Sequence, residues 1–389
     1  MEISTLDNFD FFNKVVLLRV DINSPIKNKK ISSKKRIDSV IETVNELKRK
    51  KAKIILIAHQ GNKGKSDFIS LKQHAYIINK KTKIQFINDI IGNKARWAVN
   101  NLKNGEAILL ENIRFLDDEF FPDKKNNSII KFFVPLIDVY INDAFSVCHR
   151  NQTSMVSFSR YVPSLAGRLL EKELTALEKM NLKMALFILG GAKLEENVDL
   201  VSSKSNKILT TGLLAPFCHI ASEKNLGLQN KIMAKEKKLL IKLKNKIKLK
   251  NKSLLLPVDY AVPINNKRVN KNIEEFPLNY PVWDIGDKTI EFYKKEIKKA
   301  KQIYMKGPAG LYGKKGFDKG TKELLSAISK SKAFSILGGG HLNDVVEKTG
   351  INKNKFGYIS LSGGALSDYI AGKKLPGIEA LLKDKSKSK

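Results

Sequence analysis

Short, continuously apolar segments alternate with amphipathic helical stretches along most of this chain. In the first half the apolar segments are KVVLLRV (14–20), AKIILIAH (52–59), EAILLEN (106–112) and DVYINDAF (138–145). Helix-like stretches containing residues 36–50 and 70–80 separate the first three of them. Strands that are apolar on both faces are typical of parallel sheets covered by helices on both sides. The pattern therefore predicts an α/β fold built on a parallel sheet.

The same rhythm resumes in the second half, after a long helical pattern over residues 164–183. Its apolar segments are residues 184–191, 206–212, 252–259, 301–307, 333–340 and 356–364. A chain of 389 residues is long for one core, which favours two domains. The prediction is two doubly wound, Rossmann-like parallel-sheet domains, residues 1–165 and 184–365, joined by a hinge helix at 166–183. The C-terminal segment, about 366–389, is a candidate to pack back on the first domain.

The composition excludes several classes of protein. Hydrophobic residues make up 42% of the chain, which supports packed cores, but no apolar run approaches the roughly 18 residues of a membrane span. The start, MEISTLDNFDFF, lacks the basic region of a secretory signal. Cys148 and Cys218 are too few for a disulfide framework or a zinc cluster. We therefore expect a cytoplasmic protein without a membrane partner and without a metal site built from protein ligands.

The formal net charge of +32 usually indicates nucleic acid or an anionic surface as a partner. Yet only nine of the 71 basic residues are arginine, and the other 62 are lysine. Proteins that recognise phosphate tend to use arginine, whose planar fork binds an anion bidentately. Because the lysines are spread along the chain, we favour lysine-rich solvated faces over a nucleic-acid surface. The few arginines are then informative where they cluster.

Several of these arginines fall in or beside turns that follow the predicted strands of the first half. The turns hold Arg19-Val-Asp21-Ile-Asn23, His59-Gln-Gly61, Arg114 and Arg150, and Arg36 opens the helical stretch between the first two strands. In α/β proteins ligands bind at the carboxyl ends of the strands. Arginines and a histidine there suit a small anion, while Asp21 and Asn23 suit hydroxyl groups. Each arginine could instead make a local salt bridge, but together they favour an anion pocket.

Glycine-rich turns follow the predicted strands of the second half. They are GGAK (190–193), TTGLLA (210–215), KGPAG (306–310), GGGH (338–341) and SGGA (362–365). Such turns entering helices offer backbone N–H groups and the positive end of a helix dipole to phosphates. One such turn would be a weak signal, because α/β loops often need glycine for a positive φ. Five in one predicted domain indicate nucleotide binding.

These sequence motifs, in this order, resemble phosphoglycerate kinase over nearly the whole chain. The matching motifs are RVDINSP, AHQG, LENIRF, NDAF…HR, GGAK, LPVD, DIG…T, KGPAG, AFSILGGG and KLPG. AHQG and TGLLA resemble the archaeal branch of that family more than the bacterial or eukaryotic one. No single motif decides the match, but the ordered set is highly specific.

The resemblance implies a two-domain kinase of glycolysis and gluconeogenesis, an ATP:3-phosphoglycerate 1-phosphotransferase. Such an enzyme transfers the acyl phosphate of 1,3-bisphosphoglycerate to ADP, with Mg²⁺ on the nucleotide, giving 3-phosphoglycerate and ATP. The resemblance also implies hinge closure, which would bring donor and acceptor in line and exclude water. We expect a monomer whose partners are these small molecules.

The resemblance further implies roles for individual residues. Arg36 and Lys193 would be catalytic and would stabilise the phosphoryl group during transfer, because a loose transition state needs positioning and cations more than covalent chemistry. The substrate-binding residues would be Asp21, Ile22, Asn23, Arg36, His59, Gln60, Gly61, Asn62, Arg114 and Arg150. The nucleotide-binding residues would be Gly190, Gly191, Lys193, Gly307, Pro308, Gly338, Gly339, Gly340 and His341.

The chain departs from the family's usual residues at several of these positions. It has Asn62 for an arginine that binds substrate phosphate, Lys306 for the asparagine of Asn-Gly-Pro and Gly313 for a ribose-binding glutamate. Asn197 replaces a second lysine that many members have after GGAK, although the archaeal branch often lacks it, and His341 replaces a metal-associated aspartate, although histidine is common there in the archaeal branch. Lys63 and Lys65 are candidate substitutes for the missing arginine. We therefore expect a nearly intact substrate side and an altered nucleotide side, with a relaxed preference among ATP, GTP and simpler phosphate donors.

An alternative interpretation keeps the kinase scaffold but assigns it another task. Residues 234–252 form a basic run with leucine and isoleucine at mixed helical spacing, which would suit a nucleic acid or an anionic surface. The protein would then be a catalytically weakened paralogue that binds polyanions. We favour the simpler reading of the run as an outer helix whose lysine stems lie along apolar surface.

Overall fold

A computed structural model describes residues 3–201, 207–250 and 253–382 of the chain. These residues form two compact units. The first runs from the N-terminus to Thr175 and includes the residues from Lys374 on, and the second runs from Ala176 to Lys373. The last part of the predicted C-terminal segment, residues 383–389, lies outside the described residues. Within the described ranges, no helix is both long enough and apolar enough to span a bilayer.

The first unit is built on a six-stranded parallel sheet. Its strands are β1 (Val15–Val20), β4 (Lys53–Ile57), β5 (Gln85–Ile87), β6 (Ala107–Leu110), β7 (Val139–Asp143) and β8 (Ser164–Ala166), and β2 (Ile26–Lys27) and β3 (Lys30–Ile31) form a separate short hairpin. The order in the sheet is β5-β6-β4-β1-β7-β8. In register, Leu17 of β1 pairs with Ile55 on one side and Tyr140 on the other. The central strands β4, β1 and β7 are almost wholly buried, as their continuous apolar runs predict.

Helices cover both faces of this sheet. The helices in this part of the chain are α1 (Lys35–Ser39), α2 (Ile41–Arg49), α3 (Lys72–Asn79), α4 (Asn93–Asn100), α5 (Ser128–Phe133), α6 (Thr153–Val156) and α7 (Arg168–Glu178), whose last three residues belong to the second unit. Alternate residues of β1 enter two different cores, since successive side chains of a strand point to opposite faces. Val16 and Leu18 lie in one apolar cluster and Leu17 lies in the other. The first unit is therefore doubly wound, as predicted.

Helix α7 is shorter than the predicted hinge segment, 166–183. Ser164–Ala166, which continues the apolar spacing of the helix, is a strand because it pairs in parallel with β7. The carboxylate of Asp143 accepts hydrogen bonds from the backbone N–H groups of Leu169 (2.8 Å) and Leu170 (3.1 Å). These bonds satisfy donors that have no acceptor inside the helix and so define where α7 begins.

The second unit contains a second six-stranded parallel sheet and a smaller antiparallel one. Its strands are β9 (Leu186–Leu189), β10 (Lys207–Thr210), β11 (Leu254–Leu255), β12 (Asp259–Ile264), β13 (Lys267–Asn272), β14 (Asp284–Ile285), β15 (Gln302–Lys306), β16 (Phe334–Gly338) and β17 (Tyr358–Ser360). The parallel order is β11-β10-β9-β15-β16-β17, and the antiparallel order is β13-β12-β14. The parallel sheet was predicted, whereas the antiparallel sheet was not.

The helices of the second unit are α8 (Leu194–Val201), α9 (Leu214–Ala221), α10 (Leu228–Met233), α11 (Lys237–Lys250), α12 (Asp287–Lys299), α13 (Lys319–Lys330), α14 (Gly340–Thr349) and α15 (Gly364–Ile370). The last described helix, α16 (Pro376–Leu382), belongs to the first unit and lies against α6 and β8. Its Gly377 N–H donates a hydrogen bond to the carbonyl oxygen of Cys148 (2.9 Å). Helix α15, in the predicted C-terminal segment, belongs to the second unit.

Candidate active site

Four loops at the carboxyl end of the first sheet carry most of the residues predicted to bind substrate. They follow β6, β4, β1 and β7, which are neighbours in the sheet, so the loops lie along one edge. Asn23 Oδ1 accepts a hydrogen bond from Gly61 N (3.0 Å), and Arg114 Nη1 donates to Gly61 O (2.6 Å). The structure thus brings together the loops after β1, β4 and β6.

His59 is fully buried just beyond β4, and Arg19 Nη2 lies 2.9 Å from its Nδ1. Because a guanidinium can only donate, Nδ1 is the acceptor and the neutral ring carries its proton on Nε2. Burial, followed by the charges of Arg19 and Arg114, holds the pKa of His59 well below its usual range. Nε2 has no partner within the described residues. The ring is therefore a neutral imidazole that leaves one N–H donor for a ligand.

Arg19 was counted among the arginines of the predicted anion pocket but not among the substrate-binding residues, and it lies at the centre of this site. It is fully buried on β1, and its Nε donates to Ser154 Oγ (3.0 Å). Ser154 Oγ in turn donates to Glu119 Oε1 (2.6 Å), and Ser154 N donates to Glu119 Oε2 (2.9 Å). This chain of contacts orients Arg19, and through it His59. The signal in the sequence was a charged residue inside an otherwise apolar strand, because such a residue is buried only with partners.

Asp21 follows β1 and binds the catalytic candidate Arg36. Its Oδ2 accepts hydrogen bonds from Arg36 Nη1 and Ser146 Oγ, and its Oδ1 accepts one from Asn23 N (3.1 Å). Burial opposes the ionisation of Asp21, but the charge of Arg36 and the bond from Ser146 outweigh it and hold the pKa of Asp21 below its ordinary value. Arg36 is thus held by a buried carboxylate while its side chain stays 28% exposed.

Cations crowd around the same edge of the sheet. Arg114 is 1% exposed, and burial, together with the charges of Arg150 and Arg19, lowers its pKa to about 9. Burial also lowers the pKa of Arg150, although Asp21 opposes the shift. Arg114 still keeps its charge at neutral pH, and neighbouring cations of this kind are stabilised when an anion binds beside them.

Two of the predicted substrate-binding residues have side chains engaged in the scaffold. Ile22 is fully buried and belongs to an apolar core. Gln60 Oε1 accepts hydrogen bonds from Ser24 N (2.8 Å) and His74 Nε2 (3.0 Å), and Gln60 Nε2 donates to Ser24 O (3.1 Å). These contacts hold the loops after β1 and β4 together.

In the second unit, loops at the carboxyl ends of β9 and β15 pack backbone against backbone. Gly190 N donates to Lys306 O (2.7 Å), and Gly191 N donates to Pro308 O (2.7 Å). A Cβ atom on Gly190 would lie 2.5 Å from Pro308 O, and one on Gly307 would lie 2.6 Å from Gly190 O. These glycines therefore permit a close approach of the loops. The N–H groups of Gly190 and Gly191 already have protein acceptors.

The glycines after β16 are more open. Gly338 is packed against Leu366, but a Cβ atom on Gly339 or Gly340 would meet nothing within 4 Å, and Gly339 has a φ of +105°. Gly339 caps α14, whose first-turn N–H groups have no acceptor within the helix. His341 is exposed, and its ring centroid lies 5.5 Å from that of Tyr312. This helix start suits an anion such as a phosphate.

Lys193, the other catalytic candidate, precedes α8 and pairs with Glu196. Its Nζ lies 3.0 Å from Glu196 Oε1, and its side chain is 70% exposed. Lys306 Nζ lies 3.1 Å from Glu196 Oε2 and 3.0 Å from Asn197 Oδ1. Two ammonium groups thus share one carboxylate at this end of the second sheet.

Three comparisons place the chain among known proteins. A sequence profile of phosphoglycerate kinase matches residues 6–373. The phosphoglycerate kinase of Sulfurisphaera tokodaii is 38% identical to the chain, over 98% of this chain and 96% of the relative. That of Methanopyrus kandleri is 35% identical, over 98% of this chain and 97% of the relative. The crystal structure of phosphoglycerate kinase from Pyrococcus horikoshii superposes with a TM-score of 0.90 at 33% identity, covering 99% of this chain and all of that one.

The chain belongs to the phosphoglycerate kinase family. The family predicted from the ordered motifs is therefore confirmed, as is the fold class of two parallel-sheet α/β units. The enzyme class expected for a phosphoglycerate kinase, a phosphotransferase, is confirmed with it.

At position 62, where phosphoglycerate kinases usually have an arginine, Asn62 contacts Arg114 instead. Asn62 is exposed, and its Oδ1 accepts a hydrogen bond from Arg114 Nη1 (2.8 Å). Lys63, a candidate substitute, pairs with Asp117 at 2.8 Å, and both side chains are 69% exposed. Because exposed ion pairs of this kind are weak, Lys63 can exchange Asp117 for another anion.

The basic run at 234–252 is mostly helix α11, which lies against α8 and α9; residues 251–252 lie outside the described residues. Leu243 is fully buried in this packing. Lys242 pairs with Asp199 (2.6 Å) and Lys244 with Glu223 (3.4 Å). These contacts are those of an outer helix and do not favour the alternative of a polyanion-binding paralogue.

Proposed function

We propose that the protein catalyses the reversible transfer of the acyl phosphate of 1,3-bisphosphoglycerate to ADP, giving 3-phosphoglycerate and ATP. The observation that carries the proposal is the group of four arginines around neutral His59 at the carboxyl end of the first sheet, Arg19, Arg36, Arg114 and Arg150. A phosphorylated carboxylic acid supplies the negative charge that this group lacks.

On the substrate side, the least compensated cations would bind the phosphate that is not transferred. Arg114 and Arg150 suit this task because each loses some of its affinity for protons through burial and nearby positive charge. The Nε2–H of His59 would donate to a substrate oxygen, and Asn23 would contact the glycerate hydroxyl. Arg36, whose guanidinium is held by Asp21, would bind the acyl phosphate.

During transfer the migrating phosphoryl group carries its negative charge mainly on its outer oxygens, so catalysis requires cations at fixed positions. Arg36 would supply one such cation from the first unit, and Lys193 would supply another from the second. The protein's own nucleophiles take no part in this mechanism. Burial raises the pKa of Cys148 to about 12, so that residue forms no thiolate at neutral pH.

On the nucleotide side, the start of α14 at Gly339, Gly340 and His341 would receive a phosphate of ADP or ATP. No group of three or more His, Cys, Asp or Glu side chains that could hold a metal occurs among the described residues. Magnesium in kinases is bound largely through substrate phosphates, with one or two carboxylates. Mg²⁺ would accordingly arrive on the nucleotide and neutralise charge on its phosphates.

A coupled assay of the purified full-length chain tests the proposal. With 3-phosphoglycerate and Mg-ATP, glyceraldehyde-3-phosphate dehydrogenase and NADH should report steady formation of 1,3-bisphosphoglycerate. Mg-GTP and tripolyphosphate should be tested in parallel, because the nucleotide side has changed. The absence of turnover with every donor, in a protein that remains folded, would contradict the proposed function.

A further inference from the structure

Lys306, the last residue of β15, is an unusual residue because its charged side chain is buried. It is 6% exposed, and it pairs in register with Leu189 on one side and Gly338 on the other. A lysine ammonium is strongly hydrated and is seldom buried unless it gains partners or a function. Its partners are Asn197 Oδ1 at 3.0 Å and Glu196 Oε2 at 3.1 Å.

These contacts leave the local charge unbalanced. Glu196 also pairs with Lys193, so one carboxylate is shared by two ammonium groups and the cluster keeps a net positive charge. Each ammonium has three N–H donors, and the contacts with Glu196 and Asn197 use two of those on Lys306. The cluster can therefore bind an additional anion.

The position of the cluster indicates which anion this is. Asn197 Nδ2 donates to Gly190 O (2.8 Å), and Gly190 N donates to Lys306 O (2.7 Å), so Lys306 is tied to the loop that carries Lys193. On its other side β15 borders Gly338, which leads into the open start of α14. Lys306 thus lies between the two features of the second unit that suit phosphates.

We propose that Lys306 is a second fixed cation for the phosphate chain of the nucleotide. Positions 197 and 306 both depart from the family's usual residues, and the structure places these two side chains in contact. The ammonium group that position 197 does not carry is supplied instead from β15, within hydrogen-bonding distance of Asn197. The ligand class is a nucleoside diphosphate or triphosphate. This inference rests on the proposed function, because it assigns the nucleotide to the second unit.

The test measures Mg-ADP affinity by titration calorimetry, without 3-phosphoglycerate and without turnover. Lys306→Met should weaken Mg-ADP binding at least tenfold, the loss expected for one charge-assisted contact. The exchanged variant Asn197→Lys/Lys306→Asn carries the ammonium group on position 197 instead of position 306. It should bind Mg-ADP with an affinity within about threefold of that of the wild type. Lys246→Met is the matched control. Lys246 donates a hydrogen bond to Val198 O farther along α8, and its replacement should leave the affinity for Mg-ADP unchanged.

A double-mutant cycle separates phosphate binding from simple neutralisation of Glu196. If Lys306 binds phosphate, Glu196→Gln/Lys306→Met should still bind Mg-ADP at least tenfold more weakly than Glu196→Gln alone. Equal affinities of those two proteins would overturn the inference, as would wild-type affinity in Lys306→Met or no recovery in the exchanged variant. Should Lys306→Met fail to fold, the exchanged variant decides. The proposed function fails separately, through absent turnover of the wild-type chain.

Discussion

The proposed substrate site of the first unit and the proposed nucleotide site of the second unit are organised by different kinds of contact. In the first unit, side chains bind side chains: Arg19 contacts His59, and Arg36 contacts Asp21. In the second unit, the loops that follow β9 and β15 contact each other through backbone atoms, and glycines permit their close approach. The cluster of Lys193, Glu196, Asn197 and Lys306 is the part of the second unit that resembles the first.

The difference accounts for two departures from the family's usual residues, those at Gly313 and His341. Removing one member of a buried, paired group leaves its partner without a counterion or hydrogen bond, at a cost of several kcal/mol. Backbone contacts do not depend on the identity of nearby exposed side chains, so those side chains can change freely. Gly313 is exposed in a loop of the second unit and His341 is exposed in the first turn of α14, whereas Asp21, His59 and Arg114 are buried in the first unit.

The largest expected effect is on catalysis in the first unit. Arg36→Met should lower kcat by about a thousandfold, because it removes the cation that we propose stabilises the migrating phosphoryl group. Arg36→Lys should recover part of the rate, since it keeps the charge but not the planar guanidinium whose Nη1 donates to Asp21 and Ser146. Stopped assays with purified enzyme measure both.

Arg160→Met provides the control for Arg36→Met, because Arg160 pairs at the surface with Asp123 (2.8 Å) and should be replaceable without loss of rate. If Arg36→Met kept more than a tenth of the wild-type kcat, the assignment of Arg36 as catalytic would be wrong.

A smaller effect should appear in the pH dependence of stability. Burial lowers the pKa of His74 to about 4, and its Nε2 bonds Gln60 in the first-unit scaffold. The folded pKa lies below the unfolded value of about 6.5, so the unfolded state binds more protons as the pH falls from 6.5 to 4. Stability due to neutral His74 is therefore complete above pH 6.5 and falls by roughly 3 kcal/mol by pH 4.

His74→Gln keeps a donor near Gln60 but does not titrate, so it should flatten this decline. Melting temperatures measured by circular dichroism from pH 8 to pH 4 give the comparison, and the values at pH 8 serve as the reference. Parallel declines in the two proteins would show that His74 does not contribute.

The smallest expected effect concerns Gly313 in the second unit. A Cβ atom on Gly313 would meet nothing within 4 Å, so a larger side chain fits there. Gly313→Glu should tighten Mg-ADP binding two- to tenfold, the effect of one added hydrogen bond to the ribose. Gly313→Gln, with the same size and no charge, is the control. If neither variant binds more tightly than wild type, the absent carboxylate is not what weakens the hold on the nucleoside.

Much of the fold could be predicted because the parallel strands are continuous apolar runs separated by helical patterns. The antiparallel sheet escaped prediction because β13, KRVNKN, is mostly polar and only partly buried, so its sequence has no clear strand period. Strand β8 escaped because Ser164–Ala166 continues the apolar spacing of α7, and its pairing with β7 depends on contacts distant in sequence.

The candidate site could be predicted only in part, for a related reason. The motifs at strand ends indicate which residues lie at the mouth of each sheet, but not which side chains bind each other. The sequence did not show, for example, that the side-chain amide of Gln60 joins Ser24 and His74. Lys306 looked like an isolated departure until the structure placed its ammonium beside Asn197.

The central claim is that the first unit binds the glycerate substrate and the second unit binds the nucleotide. Calorimetric titration of 3-phosphoglycerate and of Mg-ADP, each alone, into Arg114→Met and Lys193→Met tests it most directly. We predict that Arg114→Met loses at least tenfold in affinity for 3-phosphoglycerate and keeps its affinity for Mg-ADP, and that Lys193→Met shows the reverse. A loss of both ligands in either folded variant, or losses of the opposite ligand, would contradict the account.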